Sequence, residues 1–306
     1  MTPTLHALDQ FGLLAFTGPE ARAFLHGQLS CDVEGLAPDA VTPGSYSTPK
    51  GRMLATFLLW TEADDVRLLL PRALCEPVRK RLAMFILRAK VKAEDATAQH
   101  RLYGLQAGDP APLLAPLGIA APAHAFHVAT AGGRTALRLD AERVLLVTPA
   151  GSVSGAAPAD PLATAPADTG AWALADIRGG LPWILPETQE QFVPQTANLD
   201  LIGGVSFTKG CYPGQEIVAR MHYLGRLKER LLHAHVDAPP PAPGTRLYSA
   251  AFGAQAAGTV VNAAADPAGG SELLAVAQLA AAGDLALAAP DGPRLRPLPL
   301  PYPVPA

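Results

Sequence analysis

The sequence predicts an α+β protein of three units, two α+β halves followed by a C-terminal β-domain. Three observations lead there. The first hundred residues alternate strand-like runs with helical spacing, as a split β-α-β module does, and 103–150 repeats that flavour. Beyond the stiff proline-rich linker DAPPPAPG (237–244), short strand-like pieces separated by Gly and Pro turns suggest a small barrel or sandwich. Finally, 306 residues is long for one hydrophobic core, so two or three packed subdomains are expected.

Taken in order, LLAFTG (13–18) is an apolar run closed by Gly18-Pro19. PEARAFLHGQL (19–29) has helical spacing, with Ala21, Phe24, Leu25 and Leu29 on one face. MLATFLLW (53–60) and VRLLLP (66–71) read as paired strands around the acidic turn Glu62–Asp65. ALCEPVRKRLAMFILRAKV (73–91) reads as an amphipathic helix with Pro77 near its start, where proline is tolerated. VKAEDAT (91–97) and RLYGLQAG (101–108) are further strands; PLLAPLG (112–118) is a proline-bounded helical piece; TALRLD (135–140) and RVLLVTP (143–149) form a hairpin. Residues 150–170, rich in Ala, Pro and Gly, read as a surface connection. TRLYS (245–249), GTVVNA (258–263) and ELLAVAQL (272–279) supply the strands of the last unit.

Composition excludes several function classes. With 49% hydrophobic and 17% charged residues the chain reads as globular, and a net charge of −3 offers no global basic field for nucleic acid. No secretory signal opens the chain and no apolar run approaches a membrane span, so no membrane partner is expected. Cys31, Cys75 and Cys211 are odd in number and far apart, which speaks against a disulfide framework or zinc knuckle and for a reducing cytoplasm. His124-x-x-His127 and His233-x-His235 lack ligands at metal spacing, GGRT (132–135) is a hairpin turn, and no permanently bound metal is expected. The run Arg220, Arg226, Lys228, Arg230 reads as a solvated strand or helix face, with an acidic or RNA-bearing partner as the second reading.

The stretch GGVSFTKGCYPGQEIVARMHYLG (203–225) stands apart. Val205-Ser206-Phe207 reads as a strand or tight turn leading to Lys209, and Gly210 permits positive φ or close backbone approach. Pro213 and Glu216 suit the first turn of a helix whose buried face carries Ile217, Val218 and Met221. Cys211 thereby falls just ahead of a helix N-terminus and two residues from an ammonium, both of which favour thiolate. From spacing alone, a reactive thiol and a small space-filling hydrophobe fit equally.

FVPQTANLDLIGGVSFTKGCYPGQEIVARMHYLGRLKERL (192–231) closely resembles the signature region of the YgfZ-type folate-binding proteins. Those are relatives of the aminomethyltransferase (T-protein) of the glycine cleavage system and of mitochondrial iron–sulfur assembly factors. The likeness extends through HGQLSCDVEGL (26–36), TPKGRM (48–53), WALADIRGGLPWI (172–184) and PLPLPY (297–302). It implies a T-protein-like fold, with two ferredoxin-like α+β units around a central pocket and a C-terminal β-barrel. An N-terminal unit over 1–100, completed by 171–230, would bind tetrahydrofolate; 101–170 would be the second unit and 236–306 the barrel. The implied role is an accessory factor, expected as a cytoplasmic monomer, that serves iron–sulfur client or carrier proteins, a tRNA-modifying enzyme among them.

Carried over by position, Cys211 is the functional thiol with Lys209 beside it, and Tyr212, Gln215 and Glu216 are motif neighbours. Trp172 falls where the family places a folate-contacting tryptophan, and Phe11 where some members carry a second one, here without the indole donor. Lys50 and Arg52 would meet the folate glutamyl carboxylates, with a solvated turn as the plainer reading of Lys50. Arg178-Gly179 stand where relatives commonly carry an acidic residue before Ala-Gly, so the pterin would be held differently here, with Arg178 among the expected folate-binding residues beside Tyr212, Gln215 and Glu216. Against a true aminomethyltransferase, the T-protein Gly-Gly-x-x-Asp-Asp stretch matches GRMLAT (51–56), which carries Ala55 and Thr56 and no carboxylate. A folate-binding or interaction module without chemistry is the third reading.

Overall fold

A computed structural model describes residues 3–151, 162, 169–223, 225 and 227–305. Most of the connection expected over 150–170, and Arg226 of the basic run, lie outside the described residues. In chain order the strands are β1 (Thr4–Ala7), β2 (Phe11–Thr17), β3 (Val41–Ser47), β4 (Met53–Glu62), β5 (Asp65–Pro71), β6 (Lys92–Asp95), β7 (His100–Gln106), β8 (Val128–Ala131), β9 (Arg134–Arg138), β10 (Arg143–Pro149), β11 (Glu229–Val236), β12 (Arg246–Tyr248), β13 (Ala256–Ala265), β14 (Ser271–Gln278), β15 (Ala286–Leu287) and β16 (Leu295–Leu298). The helices are α1 (Ala21–His26), α2 (Arg72–Ala83), α3 (Ala111–Leu114), α4 (Gly170–Arg178) and α5 (Gln215–Tyr223). Three sheets result, ordered β3-β4-β5-β2-β6, β1-β7-β10-β9-β8 and β15-β12-β13-β14-β11-β16. The fold class is α+β.

Chain contacts divide the molecule into two compact units. The first comprises Met1–Leu25, Val33–Thr42 and Phe57–Trp172. Its β2 pairs antiparallel with β5, Leu14 opposite Leu68, and with β6, Leu14 opposite Asp95. Helix α2 buries Leu74, Cys75, Val78 and Leu82. A Cβ on Gly12 of β2 would sit 2.5 Å from the Cys75 sulfur, so the absence of a side chain there leaves room for α2. A second core gathers Tyr103, Leu105, Ala136, Val144 and Leu146 from β7, β9 and β10. Within it the expected hairpin 135–149 forms, Leu145 opposite Leu137.

The second unit comprises His26–Asp32, Pro43–Thr56 and Ala173–Ala306. Strands β11, β13 and β14 bring Ala234, Val236, Val260, Leu273 and Ala275 into one core, with Leu247 of β12. A register shift between Val260 and Asn262 turns the Asn262 amide out of the ladder. That amide accepts from Trp183 N–H at 2.8 Å and donates to Trp183 C=O at 2.9 Å, clamping the segment after α4.

Several sequence expectations change. Helix α2 ends at Ala83, not at 91, because Met84–Leu87 is an unbroken apolar run with no buried face to repeat. Its last turn tightens instead, Phe85 N–H reaching Leu82 C=O and Ile86 N–H reaching Ala83 C=O. Pro77 lies in the helix interior, the sixth residue of α2. Val205–Phe207 is irregular chain, not strand. Arg230 is no solvated cation: it is buried in β11, 2.7 Å from Asp200.

Candidate functional site

The segments that hold the Cys211 turn all belong to the second unit. Three pieces of chain meet there: the loop His26–Asp32, the turn Thr48–Arg52 between β3 and β4, and the motif run Gly203–Glu216. Ser30 joins the first to the third. Its Oγ donates to Gly204 C=O at 2.6 Å and accepts from Ser45 N–H at 2.8 Å, while Ser30 C=O accepts from Ser206 N–H. Every polar group of this buried serine is thus occupied, as burial demands.

Lys209 makes the second weld. Its ammonium donates to the carbonyls of His26, Leu29 at 2.6 Å and Cys31 at 3.1 Å, and lies 4.9 Å from the Tyr212 ring centroid. An ammonium has three protons, and three carbonyls converge on it. Lys209 therefore ties the motif to the loop after α1. On that loop the His26 imidazole Nδ1 lies 3.2 Å from the Asp32 carboxylate.

The third weld is glycine against glycine. Gly51 and Gly214 adopt φ of +72° and +85°. A Cβ on Gly214 would sit 2.6 Å from Gly51 Cα and 2.7 Å from Thr48 C=O. Gly214 requires glycine by conformation and by space, and Gly51 by conformation. Helix α5 then starts at Gln215, whose N–H reaches Tyr212 C=O, and Glu216 sits in its first turn, where the helix dipole favours an anion. Pro213 and Gly214 form the turn before the helix, so Cys211 lies four residues ahead of α5 and not against its first N–H groups.

The three cysteines separate cleanly. Cys31 and Cys75 are buried and Cys211 is exposed. Burial pushes the Cys31 thiol up to about 12 against the pull of Lys209, and burial pushes Cys75 up to about 12 as well. Burial, with Cys31 nearby, raises the Tyr212 phenol to about 12; its hydroxyl has no hydrogen-bond partner among the described residues.

The other sequence-selected residues are distributed. Lys50 and Arg52 are exposed on the turn that touches Gly214, and Arg52 spends one N–H on Gln191 C=O at 2.7 Å. Arg178 is committed elsewhere: its guanidinium grips Glu272 at 2.6 and 3.1 Å and lies 3.6 Å from Asp266. Phe11 and Trp172 belong to the first unit, where both are buried. The Trp172 ring packs on the bare backbone of Gly104, where a Cβ would clash at 2.2 Å, with the Arg143 guanidinium 5.7 Å from its centroid.

Residues that hold the motif in place went unread in the sequence. Gln195 donates to Val218 C=O of α5 at 2.5 Å, and Asn198, at φ +58°, donates to Leu231 C=O of β11 at 3.0 Å. Arg230 closes the group on Gln195 C=O and Asp200. The QTAN run offered one clue, since Asn tolerates positive φ and donates to backbone readily. Asp176, buried, takes the Trp183 indole N–H at 2.9 Å and supplies a carboxylate one turn from Trp172 on α4.

Among the described residues no cluster of His, Cys, Asp or Glu is arranged to hold a metal ion, and no helix is long and apolar enough to cross a membrane.

No protein-family model matches the chain. The glycine cleavage system aminomethyltransferase T from Bartonella henselae superposes with a TM-score of 0.76 over 97% of this chain and 84% of that one, at 14% identity. The fold is therefore of the T-protein type. The tRNA-modifying protein YgfZ of Vibrio vulnificus (strain CMCP6) is 34% identical over 241 residues, 78% of this chain and 72% of that protein. The protein of the same name from Colwellia psychrerythraea is 32% identical over 76% of this chain and 72% of its own length. With this identity sustained over most of both sequences, the chain belongs to the YgfZ family.

Proposed function

We propose that this protein is a tetrahydrofolate-binding accessory factor for the assembly or repair of iron–sulfur proteins, tRNA-modifying enzymes among them, with Cys211 as its working thiol. The observation that carries the reading is a single exposed cysteine, held on a welded turn, in a chain whose relatives are named tRNA-modifying proteins. Lys209, Ser30 and the Gly51–Gly214 contact fix the turn, so the thiol is presented without having to be ordered on encounter.

The exposed cations Lys50 and Arg52 fit the carboxylates of a folate glutamyl tail, Arg52 keeping donors beyond the one given to Gln191. Trp172 falls where the family places a folate-contacting tryptophan and Phe11 where some members carry a second one, and both side chains are buried. When bound, tetrahydrofolate supplies a carrier for one-carbon units. The chain's own part is to hold the tail by charge and keep the thiol accessible. Arg178, paired with Glu272 yet half exposed, would offer a folate only the donors that pair leaves.

The T-protein fold raises aminomethyl transfer as the alternative, and Ala55 weighs against it. Ala55 is fully buried, and the neighbouring Thr56 hydroxyl donates to Pro182 C=O at 2.9 Å. No carboxylate stands there to orient a folate amine. The test is complementation of a strain lacking its family member, comparing wild type with Cys211→Ala, alongside calorimetry with tetrahydrofolate. The proposal expects folate binding in both proteins and restored iron–sulfur enzyme activity only with wild type. Rescue by Cys211→Ala, or no heat of binding at high micromolar folate, would overturn it.

A further inference from the structure

The loop that follows α2 holds apolar side chains out in water and surrounds them with cations. Met84, Phe85 and Leu87 are 64%, 46% and 86% exposed, half of the large exposed apolar side chains among the described residues, within four consecutive positions. Such a concentration marks an interaction surface. The loop is ordered, not collapsed: Phe85 and Ile86 bond back to Leu82 and Ala83, Val91 N–H reaches Ala89 C=O, and the Glu20 carboxylate accepts Lys90 N–H.

Seven of the chain's 24 Lys and Arg lie between 72 and 92: Arg72, Arg79, Lys80, Arg81, Arg88, Lys90 and Lys92, with Glu76 the one acid among them. Glu76 pairs with Arg79 and Lys80, and Glu94 with Lys92. Among the described residues Arg81, Arg88 and Lys90 carry no ion pair, and Glu20 and Asp95 are the other acids close by in the fold. In a protein of net charge −3 this is a local reversal of sign.

We infer that the loop 84–90 is an interfacial anchor that docks the protein on an anionic phospholipid surface. The order of residues carries the choice, with cations before the tip, four apolar residues, then cations again. Such a tip can enter the acyl boundary while its collar stays at the phosphates, lysine and arginine stems reaching outward. RNA would satisfy the cations but leave Met84 and Leu87 in water, since Phe85 alone can stack on a base. An acidic protein is the competing occupant, since Arg72, Arg79, Arg81 and Arg88 stand beside the three lysines, and an absence of vesicle binding would point to it.

The experiment is co-sedimentation of the full chain with vesicles of roughly two parts phosphatidylcholine to one part phosphatidylglycerol. The variants are Met84→Glu/Leu87→Glu and Arg88→Glu/Lys90→Glu, each confirmed folded by an unchanged melting temperature. Wild type should sediment with the anionic vesicles, and either variant should bind at least about tenfold less. Raising salt from about 0.1 M to about 0.5 M should release the wild type. Equal binding to pure phosphatidylcholine, or no binding to either vesicle, would overturn the inference. So would a tRNA gel shift that the Arg88→Glu/Lys90→Glu pair abolishes and the Met84→Glu/Leu87→Glu pair leaves intact.

Discussion

In the sequence Lys209 reads as a charge that favours the Cys211 thiolate, and the structure gives its ammonium a different occupation. Three backbone carbonyls of the loop after α1 surround it, and removing it leaves those oxygens partly buried without a donor. Lys209→Met should therefore lower stability by about 2–4 kcal/mol, read by chemical denaturation. A melt indistinguishable from wild type would return Lys209 to the thiol. The cysteines give a second prediction. Iodoacetamide near neutral pH should label Cys211 and leave Cys31 and Cys75 unlabelled in the folded protein, because both are buried with thiols pushed up to about 12. Equal labelling of all three in one digest would refute it. What could be read at this scale was chemical identity: KGCY marked the exposed thiol. What could not was partnership, since the carbonyls of Leu29 and Cys31 lie 180 and 178 residues from Lys209 and no local pattern announces them.

At the scale of elements, local periodicity located β2, β4, β5, β7, β10 and α5 to within a few residues. It failed where tertiary contacts decide. Helix α2 could not be ended by propensity, because the residues after Pro77 in ALCEPVRKRLAMFILRAKV all tolerate helix and only the absence of a second packing face stops it at Ala83. Strand β11 was hidden because ERLLHAHV mixes cations with apolar residues, and its Arg230 is neutralised by Asp200 on a distant turn. The turn pair that presents Cys211 is the element most open to test. Gly214→Ala places a methyl 2.6 Å from Gly51 Cα at a φ of +85°. Backbone cannot yield as a side chain would, so a loss of about 2–3 kcal/mol is expected, exceeding that of Gly118→Ala. Gly118 also has positive φ but has nothing within 4 Å of a new Cβ, so it isolates the conformational part of the effect. Equal losses at the two positions would show that the turns do not press on one another.

For the molecule as a whole, ionisation sets limits on stability at both ends of the pH scale. On the acid side, burial alone would raise Glu62, but the Trp60 indole, Arg67 and Thr135 outweigh it and hold the carboxyl below its ordinary 4.5. Glu272 is likewise held down, against its burial, by Arg178 and His233. Carboxyls depressed in the fold lend stability above their unfolded values and lose it as pH falls through their folded ones, so resistance should decline below about 4. The alkaline side has more groups acting together. Cys31 and Cys75 move from 9.0 to about 12 through burial, and Tyr212 and Tyr302 from 10.0 to about 12, again first through burial. These acids stay neutral in the fold while their unfolded counterparts release protons. Above an ordinary thiol value the unfolded state therefore binds fewer protons, and each step in pH favours unfolding. Stability should be flat up to about pH 9 and fall continuously toward pH 12, measured as the denaturant midpoint across buffers under reducing conditions. Cys31→Ala removes one of the four groups and replaces a thiol that is 1% exposed with a smaller apolar one. It should lower the plateau through lost packing yet make the decline between pH 9 and 12 shallower. A variant whose curve runs parallel to wild type would mean that the folded Cys31 thiol ionises as readily as the unfolded one, and that its burial does not govern the alkaline limit.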